Sequence, residues 1–308
     1  MESQLVSVVI PTYNRADYLK QAIESVLAQT YTNFELLILD NCSTDHTPDI
    51  VAQFNDSRIK YLRHQCNIRV LANWSYGIYW SKGEFVSILG DDDYYNPDFM
   101  ESRIKTFRKY ENLVAVFSNY DICDEHGAII SEFHSCYNHD KVLSGNELLQ
   151  LAVNNHWFLG STLYKRELVE SLFEKALLAG KAIDTYLNIN IALHKIHNRV
   201  AWICDKGLIY RKHNEQDTLS GGEIIFIGHV NACTLPFKFD DYTRQRSILK
   251  KGAIWAYASL SRNAWLTGRV KTAFRYTWWD ISANPLRIKP WRRLLKYSLL
   301  SILKKRVF

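Results

Sequence analysis

Three consecutive carboxylates, Asp91, Asp92 and Asp93, follow the apolar run Phe85-Val86-Ser87-Ile88-Leu89 and precede Tyr94-Tyr95-Asn96-Pro97. Adjacent like charges repel, and removing them from water is costly unless a cation joins them. A hard divalent ion such as Mg²⁺ or Mn²⁺ takes oxygen ligands and keeps open positions for phosphate oxygens. An acidic triplet at the end of a buried strand therefore suits phosphate chemistry, the plain alternative being an acidic turn that stays in water. Asn96 is placed to cap a helix that opens at Pro97. Two more polar loops end apolar runs nearby: Pro11-Thr12-Tyr13-Asn14-Arg15 after residues 5–10, and Asn41-Cys42-Ser43-Thr44-Asp45 after residues 34–40, the latter run ending on Asp40.

The elements that must position these loops alternate. The pattern predicts strands over 5–10, 34–40, 58–62 and 85–89. Helices fall between them: one reaching about Gln29 with Leu19, Ile23, Val26 and Leu27 at helical spacing, one from Thr47-Pro48, and one through Asn73-Trp74 and Tyr76-Gly77. Near-continuous apolar strands alternating with helices predict an α/β fold with a mainly parallel sheet covered on both faces. Ligands of such sheets lie beyond the carboxyl ends of the strands, where all three polar loops fall. Further on, a strand is expected at 113–118. A capping box is read at Ser144-Gly145-Asn146-Glu147, with a strand or wall segment over 157–164. A helix should run from Ile183 to His197, then a strand over 200–204 and a polar loop over 217–222. From Gly222 the pattern is helical, clearest over 248–266, which places a boundary between a domain of residues 1–221 and a helical region of residues 222–308.

The chain has 308 residues, 47% apolar and 23% charged, ordinary for a globular protein with a large core. No secretory signal or membrane-spanning run is read. The six cysteines, at 42, 66, 123, 136, 204 and 233, form no C-x-x-C pair and suit free thiols in a reducing cytosol. The net charge of +6 is uneven: residues 285–308 hold eight Lys or Arg and no acid, so the preceding residues are net −2. In that tail Trp291, Leu294, Leu295, Ser298, Leu299 and Ile302 fall on one helical face with basic residues around it. Such a helix suits an anionic membrane surface, or else docks on the protein's own core. Nucleic acid is not expected as a partner, because no binding module accompanies the basic residues.

The run Val8-Val9-Ile10-Pro11-Thr12-Tyr13-Asn14-Arg15, then Gln29-Thr30-Tyr31, Leu39-Asp40-Asn41-Cys42-Ser43-Thr44-Asp45, Gly83-Glu84-Phe85 and Gly90-Asp91-Asp92-Asp93, closely resembles the family-2 glycosyltransferases of GT-A fold. The resemblance covers roughly residues 3–217. It implies that Pro11, Thr12, Tyr13, Asn14 and Arg15 bind the nucleotide and that Asp40 accepts the N3–H of the base, typically uracil. The family's D-x-D-D string has Gly90 at its first position, so the metal falls to Asp92 first and Asp91 second, with Asp93 orienting the donor sugar. The family's Glu-Asp at the head of a helix corresponds to Ile183-Asp184, making Asp184 the catalytic base. Tyr210-Arg211-Lys212-His213 resembles the Tyr-Arg-x-His segment before an acceptor-side loop, and Arg211 or His213 could add charge at the diphosphate.

Transfer from a nucleotide-diphosphate sugar through an oxocarbenium-like transition state needs a cation at the departing diphosphate and one base for the incoming hydroxyl. An Asp at a helix start should stay ionised near neutral pH through the helix dipole. His194 and His197 could share a helix face, but surface or packing roles suit them better than metal. Trp157 and Phe158 offer either an acceptor platform or core packing. The expected function is thus an inverting, Mn²⁺- or Mg²⁺-dependent transferase. It would move a sugar from a nucleotide-diphosphate donor, a UDP-sugar first, to a glycan or lipid-linked acceptor in surface polysaccharide synthesis, peripheral on the inner face of the cell membrane. A non-catalytic nucleotide- or glycan-binding module is the alternative. A sugar nucleotidyltransferase fits less well, because the first loop lacks glycine.

Overall fold

The structure, a computed structural model, describes residues 4–133, 137–176, 182–196, 198–214, 216, 222–236, 245–266, 269–283 and 285–305. Among the described residues ten strands, numbered in chain order, form one sheet in the order β3-β2-β1-β4-β9-β6-β10-β5, with β7 on β6 and β8 on β10. The first half is parallel: β3 (Ile59–Arg63), β2 (Phe34–Asp40), β1 (Val6–Thr12) and β4 (Phe85–Ile88). Beyond it the sheet is mixed. β9 (Thr162–Lys165) runs antiparallel between β4 and β6 (Leu113–Cys123), β10 (Arg199–Arg211) runs parallel to β6, and β5 (Tyr94–Tyr95), β7 (Ile129–Phe133) and β8 (Lys141–Leu143) are antiparallel additions.

Both faces of β1, β2 and β4 are buried, as their apolar runs require, while the edge strand β3 is only partly covered. Val6, Val8, Ile10, Leu36 and Ile38 pack with Leu19, Ile23 and Val26 of α1 (Ala16–Leu27) and with Ile104 of α4 (Phe99–Lys109). Val9, Leu37, Leu39 and Ile88 join the opposite core with Ile78 of α3 (Val70–Trp80), α5 (Gly145–Val153), α6 (Arg166–Ala176) and α7 (Ile183–Leu193). The short α2 (Thr47–Ala52) starts at Thr47-Pro48, as read from sequence. That second core continues into the helical region. It takes in Ala232 and Cys233 of α8 (Gly222–Thr234) and Ile248, Leu249 and Ala253 of α9 (Arg246–Leu266). A smaller core of Leu260, Ala264, Ala273, Tyr276 and Tyr297 joins the rest of α9 to α10 (Val270–Ala283) and α11 (Ile288–Lys305). Tyr297 stacks on Trp265 at 4.1 Å, and the fully buried Asp280 pairs with Arg287 at 3.0 Å and Arg293 at 3.3 Å. Among the described residues no helix is long and apolar enough to cross a membrane.

Several local expectations give way to long-range pairing. Asn96 does not cap a helix: α4 starts at Phe99, because residues 94–95 pair with β10. The Asn96 N–H donates to Gly207 O at 3.0 Å and its side chain donates to Lys206 O. Ser144 makes no side-chain capping bond, and the Glu147 carboxylate, the other half of the expected box, is drawn to Lys141 at 2.6 Å and Tyr137 at 2.7 Å. The 157–164 segment is a strand only from Thr162, whose hydroxyl closes a turn onto Phe158 O. α7 ends at Leu193, which leaves His194 outside the helix, while residue 197 and the 217–221 loop lie outside the described residues. The tail's expected apolar face is split: Trp291 and Leu295 are exposed, Leu294 and Ser298 half-buried, and the side chains of Leu299 and Ile302 lie outside the description.

β10 is far longer than the expected strand because its register breaks between Ile203 and Leu208. The break is held by Arg103, a fully buried cation from α4. Its guanidinium bonds Asp205 at 3.0 Å, Ser161 O at 3.2 Å and Phe99 O at 3.1 Å, and lies 4.0 Å over the Phe99 ring. A Cβ at Gly207 would stand 2.5 Å from Arg103 Nη2. Gly207→Ala is therefore expected to destabilise the protein by about 1–3 kcal/mol through overpacking against a buried charge, read as a lower midpoint in thermal or urea denaturation.

Candidate active site

A cavity of about 480 Å³ opens at the carboxyl ends of β1, β2 and β4, walled by Pro11, Thr12, Tyr13, Arg15, Asn41 and Asn67 on one side. Asn14 takes a left-handed backbone (φ 53°) and its side chain accepts the Thr44 N–H at 2.7 Å, while its own N–H donates to Ser43 Oγ at 3.0 Å. Asn14 thus ties the first loop to the second and stands off the cavity wall. Asp45 completes the tie by accepting the Ala16 N–H at the start of α1, 3.1 Å away.

Asp40 is not on the wall. It is fully buried behind it, accepting from the Ser43 N–H at 2.7 Å and the Tyr61 hydroxyl at 2.5 Å, with Arg63 at 3.3 Å. Its neighbour Asn41 reaches the cavity instead. Asn41 Oδ1 accepts the Ile68 N–H at 2.8 Å and Asn67 Oδ1 accepts the Arg69 N–H at 2.9 Å, which fixes the orientation of both amides. Their amide N–H groups are what remain for a ligand, apart from one donated by Asn41 to Asn67 at 3.1 Å. Asn67 carried no sequence signal beyond a polar residue between a strand and a helix.

The acidic loop turns tightly, with the Asp93 N–H on Gly90 O at 3.2 Å. A Cβ at Gly90 would stand 2.9 Å from Asp92 Oδ1 and 3.1 Å from Asp93 Oδ2, so here the string has glycine because its own carboxylates fold back over that position. All three acids line the cavity. Burial, then the neighbouring Asp92 charge, push the Asp91 and Asp93 carboxyls well above the usual carboxylate range. Asp92 Oδ2 is held by Arg15 Nη1 at 2.8 Å and His213 Nε2 at 2.9 Å, and Asp93 Oδ1 accepts the Arg211 N–H at 2.9 Å. Arg211 does not face the cavity. It is buried, with Nε on Asp92 O at 2.9 Å, Nη1 on Glu125 O at 3.0 Å and Nη2 on Gln21, so it braces the acidic loop from behind. His213 likewise lies off the wall and reaches the site through Asp92.

The groups here that could hold a hard divalent ion are the mutually repelling carboxyls of Asp91–Asp93 and the His213 imidazole beside Asp92, although Arg15 pairs with the same Asp92 oxygen. Among the described residues no group of three or more His, Cys, Asp or Glu gathers for a metal. An ion such as Mg²⁺ is commonly held by one or two protein carboxylates and completes its shell with phosphate oxygens and water, so a sparse set is compatible with it.

The opposite wall is mostly apolar, made by Val70, Leu71, Trp74, Ile88, Phe158 and Leu159. Phe158 is on it; Trp157 is not, being buried in the core and stacked on Phe117 at 5.3 Å. Ile183 and Asp184 reach the cavity from the first turn of α7. Asp184 Oδ1 accepts the Thr185 N–H at 2.7 Å, yet burial outweighs that bond and raises its pKa. Desolvation thus opposes the help expected from the helix start.

The same architecture occurs in solved glycosyltransferases. The chain superposes on Staphylococcus aureus TarS 1–349 in complex with UDP-GlcNAc with TM-score 0.67 and 17% identity, over 90% of this chain and 81% of that one. On the mannosyltransferase PcManGT from Pyrobaculum calidifontis, in complex with GDP-Man and Mn²⁺, the TM-score is 0.57 at 17% identity, over 96% and 80% of the two chains. At such identities the likeness establishes the fold, GT-A in type. Residues 7–173 match the family described as Glycosyl transferase family 2, and the chain belongs to that family. It is 33% identical over 133 residues to the Escherichia coli UDP-Glc:alpha-D-GlcNAc-diphosphoundecaprenol beta-1,3-glucosyltransferase WfgD, covering 43% of this chain and 52% of that one. An uncharacterized glycosyltransferase of Rickettsia typhi is 37% identical over 124 residues, covering 40% of this chain and 38% of its own length. The match thus spans about half, or less, of the length of these relatives.

Proposed function

We propose that the chain is an inverting, metal-dependent glycosyltransferase that moves a sugar from a UDP-sugar to a hydroxyl of a glycan or lipid-linked acceptor in surface polysaccharide synthesis. The observation that carries the reading is that Asp184, from α7, opens onto the same cavity as Asp91–Asp93, from the end of β4. Relatives and fold neighbours support the donor and acceptor classes: TarS is seen with UDP-GlcNAc, and WfgD is named for a UDP-Glc donor and a diphosphoundecaprenol-linked sugar. Residues 1–221 bind the donor and carry the chemistry, and residues 222–308 form a helical region that holds the protein at the cytoplasmic face of a membrane.

In this reading Pro11, Thr12 and Tyr13 flank the nucleotide, and the amide N–H groups of Asn41 and Asn67 donate to a base carbonyl. Asp92 and His213, with Asp91 second, are the residues that would hold a divalent ion, which when bound would supply positive charge at the departing diphosphate. Arg15 adds a fixed positive charge at that end, and Asp93, locked by the Arg211 backbone, orients the sugar. On the apolar side, Asp184 takes the acceptor proton as the hydroxyl oxygen bonds to the anomeric carbon and the bond to the diphosphate breaks. One base and one displacement invert the centre. An apolar wall keeps water from competing for that carbon.

UDP release from candidate UDP-sugars, with and without Mn²⁺ and an acceptor, tests the reading; tight UDP binding with no release from any donor would leave a binding module. Because turnover needs Asp184 ionised and burial raises its pKa, the acidic limb of kcat should sit above the usual carboxylate range and fall about tenfold per pH unit below its midpoint. A pH–rate profile checks this, and a limb at an unperturbed aspartate value would contradict it.

A further inference from the structure

The corner between α10 and α11 carries a largely exposed apolar surface among the described residues. Trp278 is 55% exposed, Trp291 44%, Leu286 91%, Ile288 66% and Leu295 62%. These side chains form one ledge: Ile288, Trp291 and Leu295 lie along one stripe of α11, and the Trp291 ring meets Trp278 of α10 edge-on at 6.4 Å. The ledge is fixed. Trp291 Nε1 donates to Pro285 O at 2.8 Å, and the Asp280 pairs with Arg287 and Arg293 clamp the two helices together beneath it.

The charge around the ledge selects its occupant. From residue 246 to the end the sequence holds fifteen Lys or Arg and one acid, Asp280. That acid is fully buried, so along the described part of this region no carboxylate faces solvent. Lys271, Arg275, Lys289, Arg292 and Lys296 are exposed on the same two helices. A second copy of the chain would bring like charges together, which disfavours self-association. Tryptophan at the polar–apolar boundary and a basic surround match the headgroup region of an anionic bilayer, where each nearby cation strengthens binding roughly fivefold.

We infer that the α10–α11 corner is a bilayer-docking surface: Trp278, Leu286, Ile288, Trp291 and Leu295 enter the interface of an anionic membrane while the surrounding lysines and arginines engage lipid phosphates. This gives the membrane partner of the proposed function a defined surface, made by two helices rather than by one face of the tail. It rests on that reading only for its biological sense, because lipid binding is measured with no donor or acceptor present.

The experiment is co-sedimentation of the full chain with phosphatidylcholine vesicles, with and without phosphatidylglycerol, at low and high salt. Wild type should partition to the anionic vesicles and lose most of that binding at high salt. Trp278→Ser with Leu295→Ser should weaken partition by roughly tenfold or more with an unchanged melting midpoint. Lys289→Glu with Arg292→Glu, which leaves the apolar ledge intact, should do the same, and it stands in for the first pair if that pair fails to fold. Equal binding to neutral and anionic vesicles, or wild-type partition by either folded variant, would overturn the inference. So would a lipid-free dimer that the first pair dissociates. Donor hydrolysis in solution should be the same in all of them, so loss of hydrolysis in wild type would count against the enzyme reading alone.

Discussion

Asp184→Asn should leave UDP binding intact and lower turnover by roughly 10²–10⁴-fold, the usual worth of a positioned general base. The amide is nearly isosteric, and its Oδ1 can still accept the Thr185 N–H that orients the acid, 2.7 Å away. Geometry is preserved and only the proton acceptor is lost. kcat by UDP release and Kd by calorimetry separate the two effects. Unchanged turnover would remove Asp184 from the mechanism, and a parallel loss of UDP affinity would make it a structural residue.

Asp92→Ala should abolish the gain in UDP affinity that Mn²⁺ provides, by roughly a hundredfold or more, since losing a direct ligand costs at least as much as losing a group that supports one. The substitution also removes a carboxylate that Arg15 and His213, 3.0 Å apart, both bond. One negative charge fewer beside the diphosphate means that metal-free UDP affinity should fall little or even rise. Calorimetric UDP titration with and without Mn²⁺ measures this. A persisting metal effect would move the ligand to Asp91 or Asp93.

The N-terminal half of the fold was readable because its strands are buried on both faces and its loops are short and polar. Pro11-Thr12-Tyr13 and Asp91–Asp93 are brought to one cavity from the ends of strands that local pattern alone marks, whereas Asp184, on the same cavity, was pointed to only by the family resemblance. What was not readable depends on partners far away in sequence. Asp40 is turned behind the wall by Tyr61 on the next strand, and Asn41 takes its place. Arg211 is turned inward because Gln21, Glu125 and the acidic loop use its donors. Asn96 and Glu147, each with a sound local role to play, were captured by β10 and by Lys141. In every case a side chain able to satisfy its neighbours was given a stronger partner by the tertiary structure. In the tail the helical period was readable, while the buried contact of Tyr297 with Trp265, from inside the basic stretch, was not.

Sequence drift along β10 and the turn after it should meet two kinds of constraint. Residues 199–203 belong to the scaffold, and exchanges there should trade melting temperature at constant chemistry. Residues 208–213, past the register break held by Arg103, carry the lip that touches Asp92 and Asp93, so exchanges at Arg211 or His213 should alter the site and lower the melting temperature together. A single strand thereby passes from scaffold to the rim of the site.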